Sequence, residues 1–410
     1  MIRVGSIYQI IFFGYIFILG VYSPIKYHVL DIYGMQITLS DFSLFLILFI
    51  SLPLVFYKGK RAVSKKVFIL FNILFIWAAI TLINFSKGID LWYIIYPLFL
   101  TWLYITVPFI ISKITNGSFG DWHKIITNFS NILTVVYCFY LINYFQELSF
   151  NPVARLDGSF GGAAVIHFSM IPVLAVHFTN LQIRKRKLIP FFGILITMSS
   201  IIATGSRSAL LSLGLLCAYF LFRNFSIKKF LISLIAISLS AWIILQFIST
   251  DRYGSFEDKA RAMNMKTSLD MANHSVSSIF FGNGYGSVWP WYAYEHGAAF
   301  WNTADQLVST PYGYVLPNPH SVFLEVYTEL GLIGTSIFAL IIFIILKQFL
   351  KSRKEDPLKA NILAAIICTI PCMFLDLYIF KNFEVSMFWS FFLFGALTAN
   401  SNKNTLTASD

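Results

Sequence analysis

Three arginines and one histidine carry the strongest chemical signal in the chain. Arg155 lies in Arg155-Leu156-Asp157-Gly158-Ser159-Phe160-Gly161-Gly162, and Arg207 in the turn Gly205-Ser206-Arg207-Ser208. Arg261 heads a segment in which Met265, Leu269, Ala272, Val276 and Ile279 recur at alternating spacings of four and three. That spacing is one face of a helix, and Arg261 continues it. An arginine on an apolar face points toward protein or ligand rather than bulk water and requires an anionic partner. Guanidinium stays charged and grips phosphate oxygens in a planar fork, so it can hold a pyrophosphate and neutralise charge as that group leaves. Snorkelling at a membrane edge or a structural ion pair is the bland alternative for each. Arg252 is a weaker candidate of interfacial character.

The histidine is His320, in Leu316-Pro317-Asn318-Pro319-His320-Ser321. Asn318 is a suitable N-cap and Pro319 suits a first helical position, which predicts His320 in the first turn of a helix. The positive end of the helix dipole disfavours imidazolium there. A neutral imidazole can accept a proton from a hydroxyl, as a general base must; local hydrogen bonding is the alternative role. Glu325 and Glu329 are four apart and share a face, with Glu325 about 140° round from His320, so structural or acceptor-binding roles suit them better than orienting it. His167 sits in an apolar run within reach of one membrane face, and intramembrane histidines are functional candidates, although packing roles are common. His177 lies deeper, and His274 and His296 carry no usable pattern. The segments around the arginines lack an Asp-x-Asp pair or a His/Cys cluster at ligand spacing, so neither a metal nor a cofactor is expected.

What positions these residues is membrane. Hydrophobic residues make up 57% of the 410 and charged residues 12%, and mean hydropathy is +0.72, far from the balance of a soluble protein. Apolar runs recur throughout: 7–22, 41–57, 67–85, 91–111, 125–146, 163–180, 188–204, 209–222, 231–249, 321–346, 360–375 and 385–400, of which 188–204 and 209–222, a hairpin around Gly205–Ser208, are short for a full crossing. The expected fold is an all-α integral membrane protein of about twelve helices, a single polytopic domain over 1–410 with the first span retained. Cys138, Cys217, Cys368 and Cys372 all fall inside apolar runs and read as small core residues.

The net charge of +11 comes from short basic clusters between hydrophobic runs, which is topology and not a nucleic-acid footprint. With the N-terminus inside, 21 of the 30 Lys and Arg residues fall in inner segments and 9 in outer ones. This puts Arg155, Arg207, Arg261 and His320 on the non-cytoplasmic face. One connection is long, residues 250–320 between the ninth and tenth spans, and it is too aromatic for disorder. Its Trp and Tyr residues suggest a folded cap at the interface, where sugar binding and an aromatic belt are both open readings.

The motifs resemble those of the O-antigen polymerase and ligase superfamily. Arg155–Gly162 is similar to its Arg-x-x-Gly-x-Phe segment, with Gly161-Gly162 where Pro-Asn often follows, and Ala203-Thr204-Gly205-Ser206-Arg207-Ser208-Ala209 to its Thr-Gly-Ser-Arg hairpin. Arg261 through Phe281-Gly282-Asn283-Gly284-Tyr285-Gly286-Ser287 resembles its arginine, amphipathic helix and Gly-x-Gly-x-Gly turn, centred on Gly284. Pro319-His320-Ser321-Val322-Phe323-Leu324-Glu325, followed by Glu329-Leu330-Gly331-Leu332-Ile333-Gly334, resembles the block opening the helix after the large loop. These four motifs, in order, span 155–334, while the first four spans match only in hydropathy.

The resemblance implies a GT-C-like architecture with one large periplasmic loop, in the bacterial inner membrane. It also implies metal-independent, inverting glycosyl transfer from an undecaprenyl-pyrophosphate donor. Arg155, Arg207 and Arg261 become donor contacts and His320 the base; Asn318, Glu325, Gly284, His167 and Arg252 are supporting candidates. The leading reading is a polysaccharide (O-antigen or capsule) polymerase passing a growing glycan to the next lipid-linked repeat unit, with a chain-length regulator as a further candidate partner. The alternatives are a ligase transferring the finished glycan to lipid A-core or protein, and a lipid-linked oligosaccharide flippase. A flippase should carry its charges at mid-depth within the spans, whereas here they gather at one face.

Overall fold

Residues Val63–Thr81 form helix α1, and its two faces explain why it exists. Val67, Phe71, Leu74, Phe75 and Ala78 are buried, while Ile69, Ile73, Ile76 and Ile80 are exposed on the opposite side. A helix apolar all round, with an open face of isoleucines, has lipid as its solvent on that face. The structure, a computed structural model, describes residues 13–15, 17, 28–32, 35–38, 63–82, 92–118, 122–151, 154–158, 162–183, 187–223, 259–297, 307–354, 356–376, 379–380 and 382–398.

The further helices are α2 (Trp92–Ser118), α3 (Trp122–Leu148), α4 (His167–Ile183), α5 (Leu188–Ala203) and α6 (Arg207–Arg223). They are followed by α7 (Lys259–Asn273), α8 (Val276–Phe281), α9 (Val322–Ser352), α10 (Pro357–Thr369) and α11 (Phe383–Thr398). Among the described residues five helical stretches are long and apolar enough to cross a membrane: 64–81, 94–112, 122–148, 322–352 and 357–374. Leu188–Ala203 and Glu384–Thr398 are apolar but shorter. The chain is thus a mostly helical, multi-pass membrane protein. The predicted spans 41–57 and 231–249, and most of 7–22, lie outside the described residues. Two short antiparallel hairpins accompany the helices: β1 (His28–Ile32) with β2 (Met35–Thr38), and β3 (Val308–Thr310) with β4 (Gly313–Val315).

The helices alternate in direction, so their ends sort into two groups. At one end α1, α3, α5 and α10 finish and α2, α4, α6, α9 and α11 begin. Several bonds tie this end together: Tyr285 N–H to Thr81 Oγ1 at 3.2 Å, Leu156 N–H to the Ala203 carbonyl at 2.9 Å, and Ser321 Oγ to the Met373 carbonyl at 3.1 Å. The other end carries Lys65, Lys66, Lys124, Lys187, Arg223, Lys351, Arg353, Lys354 and Lys359. There Asp356 caps α10 by accepting from Leu358 N and Lys359 N and lies 3.4 Å from His123. Asn361 accepts from Arg223 and donates to Thr179.

Helix α9 breaks at Gly331, whose φ of 66° and ψ of −167° lie outside helical space. The break releases carbonyls that an unbroken helix would consume. Thr328 O accepts from Asn283 N, Glu329 O from Gly284 N and Leu330 O from Trp77 Nε1 at 2.9 Å. Gly331 also sits against Gly282: a Cβ on either would lie 2.2–2.4 Å from the other strand's carbonyl oxygens.

The start of α9 corrects the expectation for His320. Ser321, not Asn318, is the N-cap, its hydroxyl accepting from Leu324 N at 3.2 Å, and the helix opens at Val322. His320 therefore precedes the helix, in the left-handed region at φ 52°, and the 140° angle to Glu325 no longer applies. Serine is as good a cap as asparagine, and Asn264 takes up the carbonyls of Asn318 and Pro319 before the helix begins.

Candidate active site

Arg155 reaches the α5–α6 turn: its Nε donates to the Thr204 carbonyl at 2.7 Å. In that turn Gly205 takes φ 59°, and Ser206 and Ser208 hydroxyls lie 2.7 Å apart. Arg207 is the first residue of α6 and its side chain is exposed. Ser208 donates to a carboxylate oxygen of Asp376, an acid just beyond the short 3-10 helix Ile370–Phe374 that continues α10. Arg261 approaches the same carboxylate, Nη1 to Oδ1 at 3.9 Å, and donates to the Leu375 carbonyl at 3.2 Å. Asp376 is thus the hub joining the Arg207 turn to Arg261, with Arg155 within electrostatic reach. Burial pushes its carboxyl up to about 6, against the opposing pull of the Ser208 hydroxyl, Arg261 and Arg155.

His320 is brought to this group from the other side. Its neighbour Ser321 is bonded to Met373, three residues before Asp376, and its approach strand is held by Asn264, one turn after Arg261. The Asn264 amide is fully buried: Nδ2 donates to the Asn318 and Pro319 carbonyls at 3.3 Å each, and Oδ1 accepts from Leu316 N at 3.0 Å and Trp289 Nε1 at 3.3 Å. One asparagine therefore joins the Arg261 helix to the His320 segment, and Asn318 contributes a main-chain oxygen.

The apolar stripe expected on 261–279 packs only in part, through Ala272 and the half-buried Leu269. Met265 and Val276 are exposed, and the buried side of α7 is Asn264, Thr267, Ser268, Met271 and Ala272. Helical periodicity holds up to Asn273, but its phase is set by polar residues with local partners, and the helix stops before Ser275, which caps α8.

Glu329 has a structural task. Its two oxygens accept from Gly286 N at 2.8 Å and Trp289 N at 2.9 Å, which pins the turn containing Gly282, Gly284 and Gly286, all at positive φ. Glu325 is buried beside Tyr285, whose hydroxyl pKa is raised, first by burial and then by the Glu325 and Glu329 charges. His167 opens α4, fully buried against Phe168 with ring centroids 4.0 Å apart and within electrostatic reach of Arg155. His177 bonds Thr134 at 2.7 Å and packs where Gly193 leaves room, a structural role. Arg252 lies outside the described residues. Among the described residues no group of three His, Cys, Asp or Glu is placed to hold a metal ion.

Sequence reasoning missed Asp376 and Asn264. Asp376 ends an apolar run and reads as a span terminus; Asn264 falls just off the stripe assumed for its helix. Arg155 and Arg261, the turn that bears Arg207 and the segment that bears His320 lie together at the helix-end group opposite the lysines.

No curated protein and no solved structure matches the chain. Arg155 and Asp376 lie outside the one matched segment, which contains Arg207, Arg261, the glycine turn and His320. That segment, residues 191–339, is similar to the family described as O-antigen ligase.

Proposed function

We propose that the chain is a polysaccharide polymerase of the bacterial inner membrane. It would transfer a growing glycan from undecaprenyl pyrophosphate to the next lipid-linked repeat unit on the periplasmic face. The observation that carries this reading is the convergence of Arg155, the Arg207 turn, Arg261 and the His320 segment on Asp376, at the helix-end group remote from the basic cluster. Basic ends stay cytoplasmic, so the site faces out, where activated sugars arrive on a lipid.

Arginines at a bilayer edge suit a lipid diphosphate, holding its oxygens and neutralising the charge that develops as it departs. Asp376 and the Thr204 carbonyl fix two of those guanidinium groups. His320 takes the proton of the acceptor hydroxyl as its oxygen attacks the anomeric carbon; the bond to the pyrophosphate breaks and the diphosphate leaves on its lipid. One base and a direct displacement give inversion. A GT-C-like arrangement and docking of a chain-length regulator belong to the same proposal.

The family description favours a second reading, in which the acceptor is lipid A-core or a protein and the chain is a ligase. Surface-glycan profiles of a deletion strain separate the two. Loss of a polymerase leaves single repeats on their carrier structure, and loss of a ligase leaves long glycans on the lipid. Complementation with Arg207→Ala or His320→Ala is expected to restore membrane protein but no polymer. Normal ladders from both variants, or cytosolic labelling of either position, would remove the assignment.

A further inference from the structure

The cap over the site, residues 259–297 and 307–320, is built around a small core of Met271, Val288, Trp289, Ala293, Val308 and Val315, to which Leu324 of α9 is added. The β3–β4 hairpin closes that core with Val308 and Val315, which pair across the strands. By strand alternation Tyr314 then faces away from it, and Tyr314 and Tyr312 are 46% and 43% exposed. From Tyr312 a row of rings runs both ways: to His274 at 5.9 Å, to Tyr292 at 6.4 Å, and from Tyr292 to His296 at 4.3 Å. The exposed Glu295, whose carboxylate accepts from Trp291 Nε1 at 2.8 Å, lies within electrostatic reach of Tyr292 at one end of the row.

We propose that this row is a binding platform for a pyranose glycan, a few sugar units removed from the reacting bond. The inference rests on the glycosyl-transfer reading and extends it. Ring faces take the C–H side of a sugar, and carboxylates and phenol hydroxyls at the edges take its hydroxyls. Two histidines within the row and the Glu295 carboxylate within electrostatic reach of Tyr292 make it more polar than a lipid-facing belt. The placement also fits. Helix α7 has Arg261 and Asn264 near its start, beside Asp376 and the His320 segment, and His274 just past its end beside Tyr312. At ~1.5 Å per residue these ends are about 20 Å apart. A glycan whose diphosphate lies at Arg261 can therefore run along α7 to the rings.

The test uses full-length protein in lipid nanodiscs with two probes. One is the producing cell's own surface polysaccharide freed from its lipid by mild acid; the other is farnesyl pyrophosphate, which has the diphosphate and no sugar. Tyr312→Ala with Tyr314→Ala should weaken polysaccharide binding about tenfold, with farnesyl pyrophosphate binding and the thermal midpoint unchanged. The paired Phe substitutions should stay within about twofold of the parent, because the ring is kept. Tyr312→Ala alone serves if the pair does not fold, since Tyr312 stands in the row and lies outside the cap core. Unchanged polysaccharide affinity in the alanine variants, or equal losses in the phenylalanine pair, overturns the platform. If farnesyl pyrophosphate still binds and is lost in Arg261→Ala, the functional reading survives that result; if the parent binds neither probe, both fall.

Discussion

Replacing Asp376 with Asn tests the hub of the site through its charge. The carboxyl is buried and raised from 3.8 to about 6, which at about 1.4 kcal/mol per unit destabilises its ionised form in the folded protein by about 3 kcal/mol. Between about pH 4 and 6 the folded protein holds a proton that the unfolded chain has released, so stability falls with rising pH across that window. Above it the contribution is flat, and below it the stability from this group is complete. Asn keeps an oxygen for the Ser208 hydroxyl and does not titrate. Thermal unfolding of the detergent-purified protein at pH 4 to 8 should show the parent losing about 3 kcal/mol relative to Asp376→Asn between pH 4 and 6, then running parallel to it. Parallel curves throughout would refute the reasoning. A difference of opposite sign would mean that Arg261 and Arg155 outweigh burial.

Gly331→Ala should cost about 3 kcal/mol or more, because φ 66° with ψ −167° is a region essentially restricted to glycine and the added Cβ would lie 2.4 Å from the Phe280 carbonyl oxygen; a lowered thermal midpoint and yield check it. Glu329→Gln loses charge-assisted bonds from Gly286 and Trp289, worth about 2 kcal/mol. Limited proteolysis should then cut the cap near Gly282–Tyr292 before any spanning helix, and cleavage beginning in the bundle would count against a pinning role.

Hydropathy made the membrane character legible because lipid imposes a long apolar run on any spanning helix. The four candidate site residues stand out in the sequence for a related reason: an arginine or histidine inside or beside such runs is costly unless it meets a partner. What stayed hidden is set by tertiary partners. Asn264 is polar by type yet buried, because four main-chain and indole partners on distant segments satisfy it, and no local pattern announces them. The start of α9 was misplaced for the same reason. Asn318, Pro319 and Ser321 all suit a helix opening, and the choice between them is made by Asn264 and Met373, contacts 52 to 55 residues away in sequence.

The break at Gly331 decides which part of the molecule carries His320. Beyond the break, Phe338, Ile341 and Ile345 pack in the main core of the bundle. The piece before it, Val322–Leu330, gives the Thr328 and Glu329 carbonyls and the Glu329 carboxylate to the cap turn at 282–289, and Leu324 lies in the cap core. At its head, Ser321 bonds the segment leading to Asp376. A continuous helix would have consumed those carbonyls internally and tied the direction of His320 to the axis of a membrane span. With the break, His320 is positioned by the cap and by Met373, the same two parts that position Arg261 through α7 and Leu375. His320 and Arg261 thus share one set of supports, although 59 residues separate them in the chain.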